Sequence, residues 1–219
     1  MSRRLPDSRR AVEKYRRAAP AYDRRTRRID RYRQRAVERL LLQSGNTVID
    51  VACGTGANFS ALSRYIGPRG RIVGIDVSPD MLDGARRRVE ELQLANVELI
   101  EARIDEADMP VAGDAALFSF THDVLQSPEA VANVVGQVRA GGRVGAVGAK
   151  WAPGWGLPVN AYVWLKSRPY VTTLEGFDRP WQHLERQVPE LSIESVALGG
   201  AYIASGTVPA SENRLPVAA

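Results

Sequence analysis

A single cysteine, Cys53, stands in 219 residues. That excludes an internal disulfide and any zinc site built on several thiolates. Two histidines, His122 and His183, are too few for a histidine-rich metal centre, so no metal is expected. No apolar run approaches the roughly 20 residues needed to cross a bilayer, and the arginine-rich beginning lacks the apolar segment of a secretion signal. The expectation is a soluble, cytoplasmic protein. With 44% hydrophobic and 25% charged residues, the composition is that of ordinary globular domains, not of collagen, a disulfide scaffold or a disordered chain. The length suits one domain able to bury a core unaided.

Positive charge is plentiful and unevenly spread. Residues 1 to 40 carry 15 Arg and Lys against five acids, while the remainder carries 15 against 20. The bland account is the solvated face of a helix; the functional one is an arm resting on an anionic membrane or a nucleic acid. No RNA-binding motif accompanies the arm, so nucleic acid is not the expected partner. Oligomeric state is not legible.

Periodicity organises the chain. Val12, Tyr15, Ala18, Ala19 and Tyr22 predict an amphipathic helix over 8–22, which Pro20 ends or kinks. A second helix is predicted over 28–43, stopped at Ser44-Gly45-Asn46. From Thr47 short apolar runs alternate with helical stretches: strands over 47–51, 71–76, 97–101, 115–121 and 143–150, helices over 57–65, 79–92 and 128–139. Residues 151–178 break the rhythm with prolines and glycines among Trp151, Trp155, Tyr162, Trp164 and Tyr170. After a short helix near 181–187, strands over 191–198 and 201–207 flank Gly199-Gly200 as an antiparallel pair. The fold class is therefore α/β: a Rossmann-like seven-stranded, mostly parallel sheet with an antiparallel last strand, helices on both faces and two extra N-terminal helices. The expected division is a basic helical cap over 1–45, a cofactor-binding domain over 46–208 with an aromatic substrate insertion at 151–180, and a flexible tail over 209–219.

Chemistry concentrates where the first strand ends. Asp50-Val51-Ala52-Cys53-Gly54-Thr55-Gly56-Ala57-Asn58 runs from strand through a glycine turn into a helix. Such a turn lets backbone approach a ligand closely and offers helix N–H groups. Twenty residues past Gly56, Asp76 ends the second strand, where an acid can take both hydroxyls of a ribose. A dinucleotide would set its pyrophosphate against Asp50, and Phe59 occupies the place of the third glycine of a dinucleotide fingerprint. S-adenosyl-L-methionine has no phosphate and carries two positive centres, so an acid there favours it. Cys53 reads as a small side chain beside that cofactor.

These residues resemble the class I S-adenosylmethionine-dependent methyltransferases, particularly the ubiquinone/menaquinone-type and small-molecule branch. Asp50 through Gly56 resembles the family's first motif, with Ala52 where many members have glycine, and Asp76-Val77-Ser78-Pro79-Asp80-Met81 resembles its ribose and adenine element. Arg139-Ala140-Gly141-Gly142-Arg143 is similar to the loop before strand five, and Tyr15 through Tyr22-Asp23 to the helices that cover the cofactor. The resemblance implies that Tyr22, Asp50, Ala52, Gly54, Thr55, Gly56, Asn58, Asp76, Val77, Met81 and Thr121 contact the cofactor. After strand three, Glu101, Asp105 or the backbone at Arg103 and Ile104 would meet the adenine. S-adenosylhomocysteine would be the product, and a small-molecule methyl acceptor the partner.

Strand four ends Phe120-Thr121-His122-Asp123, at the edge where an α/β sheet presents ligands. His122 either removes a proton from the acceptor as the methyl transfers or lines the cofactor pocket. Tyr15, Trp151, Trp155, Trp181 and His183 are the candidate acceptor contacts, suited to a flat or apolar molecule. The expected activity is methyl transfer to O or N of a small apolar or aromatic metabolite. The alternative is a lipid or quinone methylated at a membrane surface that the N-terminal arm contacts.

Overall fold

The apolar runs from Thr47 onward pair into one sheet in a computed structural model that describes residues 6–18, 22–108, 111–154 and 156–210. Its strands are β1 (Thr47–Val51), β2 (Arg71–Asp76), β3 (Val97–Glu101), β4 (Gly113–Ser119), β5 (Val138–Ala149), β6 (Ser192–Val196) and β7 (Ala201–Thr207), in the order β3-β2-β1-β4-β5-β7-β6. β1 to β5 are parallel, and β7 runs antiparallel to both β5 and β6. This is the Rossmann-like α/β architecture expected from the alternation.

The described helices are α1 (Ser8–Ala18), α2 (Tyr22–Thr26), α3 (Asp30–Glu38), α4 (Phe59–Ile66), α5 (Pro79–Glu91), α6 (His122–Leu125), α7 (Pro128–Gly136), α8 (Leu157–Ser167) and α9 (Gln182–Gln187). Proline opens α5, α7 and α8 at the position where its missing N–H costs nothing. The Ser127 hydroxyl caps α7 by accepting from Ala130 N–H at 3.2 Å. None of these helices is long and apolar enough to cross a membrane.

Several expectations about elements change: the helix predicted over 28–43 spans only Asp30–Glu38, as α3, with Leu41 just beyond it at φ +52°, and β4 lies two residues earlier than predicted. The aromatic insertion is not simply loop, because α8 occupies its middle. β5 begins five residues before its predicted start: Val138 already pairs with Gly113, and the strand passes through Gly141, whose φ of +74° bends it without ending it. Of the expected flexible tail, residues 211–219 lie outside the described residues.

Strand alternation divides the core into two layers. On one face Ile49, Val51, Val73, Ile75 and Phe118 pack with Val131, Val134 and Val135 of α7 and Leu184 of α9. On the other Val48, Ile72, Leu117 and Val147 pack with Ala36, Val37 and Leu40 of α3 and Phe59, Leu62 and Ile66 of α4. The strand order reverses between β1 and β4, so their carboxyl ends diverge and leave the crevice where such sheets bind ligands.

Candidate functional site

A cavity of about 430 Å³ fills that crevice. Its floor comes from the turns after four strands: Ala52 and Gly54 after β1, Val77 and Met81 after β2, Arg103 and Ile104 after β3, Thr121 and His122 after β4. Tyr15 of α1 and Tyr22 of α2 close it from above together with Tyr170, the three rings lying 5.5 to 6.4 Å apart. Asn133 of α7 clamps the β3 turn by donating to the carbonyls of Ile104 at 2.7 Å and Ala107 at 2.8 Å.

Asp76 is the best-placed acid. It lines the cavity, and its two carboxylate oxygens accept from Gly54 N–H at 2.8 Å and Ser78 N–H at 2.9 Å. Burial pushes its pKa up to about 6, against the opposing pull of those N–H donors. The glycine turn divides into two functions. Gly54, φ +57°, lies on the cavity wall. Gly56, φ +72°, does not line it; a Cβ there would stand 2.4 Å from the Phe59 ring, so this glycine serves packing. Ala52 holds a left-handed backbone, φ +48°, on the cavity wall.

Asp50 does not fill its expected place. Alternation along β1 turns it to the same face as Val48, into the α3–α4 layer, and it is not among the cavity's lining residues. The Asn58 amide donates to both of its oxygens at 2.9 and 3.2 Å, and burial raises its pKa to about 7. Asp50 and Asn58 therefore engage each other beneath the turn. The Thr55 hydroxyl is likewise occupied, donating to Asp23 at 2.6 Å, while Asp23 pairs with Arg88. Negative charge reaches the cavity from other carboxylates: Asp7, Asp76, Asp105, Asp123 and Glu129 line it, with Arg103 the one guanidinium among the described lining residues. Of the two acids open for adenine, Asp105 is at the wall and Glu101 is not. Cys53 is buried, and burial holds its thiol well above the usual range, so it is no nucleophile.

The end of β4 carries the polar chemistry. His122 Nε2 lies 2.9 Å from the Glu175 carbonyl, which can only accept, so Nε2 holds the proton and Nδ1 the lone pair. Burial lowers its pKa to about 4, leaving a neutral imidazole. Asp123 Oδ2 accepts from Thr172 N–H at 2.8 Å. Three buried atoms in a row, Thr121 Oγ1, His122 Nδ1 and Asp123 Oδ1, have no hydrogen-bond partner among the described residues, and all three residues line the cavity.

The segment around Val171–Glu175 walls this cavity off from a larger groove of about 1000 Å³ that Trp151 and Trp164 line. Trp151 thus faces the groove rather than the cavity. Trp181 and His183, expected at the acceptor, are packed elsewhere: Trp181 packs tilted against Tyr202 in the core, ring centres 4.8 Å apart, and His183 is buried in α9, lining neither space. Trp155 lies outside the described residues.

Two site residues escaped the sequence reading. Arg33 is buried, bonded to Asp30 at 2.7 Å and set over the Phe120 ring at 5.6 Å, and its charge favours ionised Asp50. Its signal was present, because it falls four residues after Ile29 and four before Val37 on an otherwise apolar stripe. Lys14 donates to the carbonyls of Arg168 at 2.9 Å and Val171 at 2.5 Å, tying α1 to the wall segment; nothing local in sequence announces so distant a bond.

Residues 42–140 match a family model described as a methyltransferase domain. That match covers 99 of the 219 residues, so over that stretch the chain is similar to methyltransferase domains. Among curated relatives, the demethylmenaquinone methyltransferase of Listeria welshimeri is 29% identical over 153 residues, 66% of this chain and 65% of its own. The chain thus spans just under two thirds of the curated relatives it matches. Among solved structures, the fold is shared with a SAM-dependent methyltransferase from Aquifex aeolicus, at TM-score 0.54 and 20% identity over 80% of this chain and 89% of that one. It is shared also with the 4+2 cyclase SpnF, at TM-score 0.69 and 16% identity over 94% and 98%. The Aquifex aeolicus protein is named as dependent on S-adenosylmethionine. The residues here suit that cofactor: Asp76 can accept from ribose hydroxyls, and a wall rich in carboxylates favours a cation and opposes a pyrophosphate.

Proposed function

We propose that the protein moves the methyl group of S-adenosylmethionine to O or N of a small, apolar or aromatic acceptor, leaving S-adenosylhomocysteine. The observation that carries this reading is the row of unpartnered atoms on Thr121, His122 and Asp123, beside a cavity whose Asp76 suits a ribose. Buried polar atoms without partners cost about 1 to 3 kcal/mol each, so a ligand that satisfies them binds with that much in its favour. The bound cofactor supplies an electrophilic methyl on sulfur. Gly54, Ala52 and Asp76 hold its nucleoside, Val77, Met81, Arg103 and Ile104 enclose its base, and Tyr15, Tyr22 and Tyr170 exclude water.

His122 Nδ1 is the group that takes the acceptor's proton. A base of such low pKa is weak toward a resting hydroxyl or amine, whose proton becomes acidic only as the new bond to carbon forms. Transfer of the proton then accompanies methylation instead of preceding it. Asp123 Oδ1 accepts from the acceptor's other donor and orients it.

The name of the Listeria relative favours the alternative acceptor, a quinone. The test is a screen of phenols, amines and quinols with isotope-labelled S-adenosylmethionine, read by mass spectrometry. A labelled product from one class is the expected result. Failure of the cofactor to bind at roughly 100 µM in calorimetry overturns the site. Binding without transfer to any class overturns the activity and points to another chemistry on the same fold.

A further inference from the structure

Helix α8 is built inside out. At about 100° per residue, Leu157, Pro158, Ala161, Tyr162, Trp164 and Leu165 fall on one continuous arc, and that arc faces solvent. Leu157 is 73%, Leu165 61%, Tyr162 55% and Trp164 43% exposed. The inward side is held by buried Val163 and by the Asn160 amide, which bonds to both the N–H and the carbonyl of Ala152, at 2.7 and 3.1 Å. Leu198 adds a further 76% exposed leucine in the turn whose Gly200 abuts Val159 and Val163. Scattered exposed leucines need no explanation, but a helix with its apolar side outward does.

Charge decides what covers it. No acidic residue occurs between Glu129 and Glu175, whereas Lys150, Lys166 and Arg168 do. Lys166 sits 5.8 Å from the Tyr162 ring and Arg168 lies over Trp164 at 5.2 Å, so cations rim the apolar arc. Arg10, Lys14 and Arg168 line the groove that opens beside Trp164 and Leu165. A second copy packed on this face about a twofold axis would set Lys166 and Arg168 near their own mates with no carboxylate on the helix to separate them. An anionic lipid surface meets both features, taking leucine and the aromatic rings at the headgroup boundary and pairing the cations with phosphates.

We propose that α8 is a membrane-docking helix that seats the protein on anionic bilayers, with the groove opening at the lipid face. The inference goes beyond the methyl-transfer reading and does not depend on it. It also differs from the expectation that the N-terminal arm makes such a contact.

The test is co-sedimentation of the full chain with vesicles of phosphatidylglycerol or of phosphatidylcholine. Wild type is expected to bind the anionic vesicles at low salt, to leave them as salt is raised, and to bind the neutral ones less. Leu157→Glu/Leu165→Glu should cut partitioning at least about tenfold. Its melting temperature should be unchanged, since both side chains are exposed. Arg24→Glu/Arg25→Glu, placed in the arm, should retain most of the binding. The proposal is overturned by wild type that ignores both vesicles, or by the arm variant losing binding that the α8 variant keeps. It is equally overturned by a wild-type dimer in sedimentation velocity that the α8 variant abolishes without any vesicle binding.

Discussion

Asp50→Asn isolates the cost of a buried carboxylate. Asp50 is fully buried, and its pKa rises from 3.8 to about 7 because burial outweighs the Asn58 amide and the Arg33 charge. A carboxyl whose native pKa lies above its unfolded value binds its proton more tightly in the fold. Its stabilising contribution is therefore complete below pH 3.8 and is lost as pH rises to about 7. Across that window the native state holds up to one proton more than the unfolded chain, and each pH unit removes about 1.4 kcal/mol, or about 4 kcal/mol in all as an order of magnitude. Asparagine cannot ionise, so the variant escapes that loss. Its fixed cost, from re-forming the bond to Asn58, is the same at every pH and drops out of the comparison. Urea unfolding of both proteins from pH 4 to pH 8 should show the variant gaining on wild type by several kcal/mol, most of it between pH 4 and 7. Parallel curves would refute the reasoning and mean that Arg33 and Asn58 keep Asp50 ionised at an ordinary pKa.

Ala52→Gly should stabilise the free protein by up to about 1 kcal/mol, or raise Tm by about 2 to 4 °C, since a left-handed alanine costs about 1 to 2 kcal/mol and glycine returns part of that as chain entropy. A drop in Tm argues against strain at that turn. For His122→Ala, turnover should fall about a hundredfold with cofactor affinity within about twofold, and wild-type turnover should show no inflection near pH 6.5 because the imidazole stays neutral above about pH 4. Equal losses in turnover and affinity would make it a lining residue only. Thr55→Val removes the donor to Asp23, so trypsin should cut after Arg24 and Arg25 several-fold faster, on the order of the loss of one charge-assisted bond, while Tm of the sheet barely moves. Unchanged proteolysis would show that Arg88 alone holds Asp23.

Much of the sheet was readable because punctuation bounded it. β2, β3 and β7 have the predicted limits, each set off by glycine, asparagine or aspartate turns. α8 was not readable because apolar residues stand on both of its sides, Val159 and Val163 inward and Leu157, Tyr162 and Leu165 outward, so little helical period is left to read. The site was half legible. A motif names residue types in order, and it drew Asp50, Thr55, Gly56 and Asn58 into one group with Gly54 and Asp76. Only the backbone shows that Gly54 and Asp76 face the cavity while the other four brace the turn from behind. Aromatic content misled in the same way, since nothing in sequence distinguishes Trp181 packed against Tyr202 from Trp151 at a groove.

The tyrosines over the crevice have a kinetic consequence. Tyr15, Tyr22 and Tyr170 come from three separate segments, and α1 is latched to the third by Lys14 and by the Asp7 N–H, which donates to Thr172 at 3.2 Å. On the methyl-transfer reading proposed above, a cofactor lying beneath these rings exchanges more easily when that roof lifts. Each such opening would break and remake these latches, and how often they let go would then limit the pace of turnover.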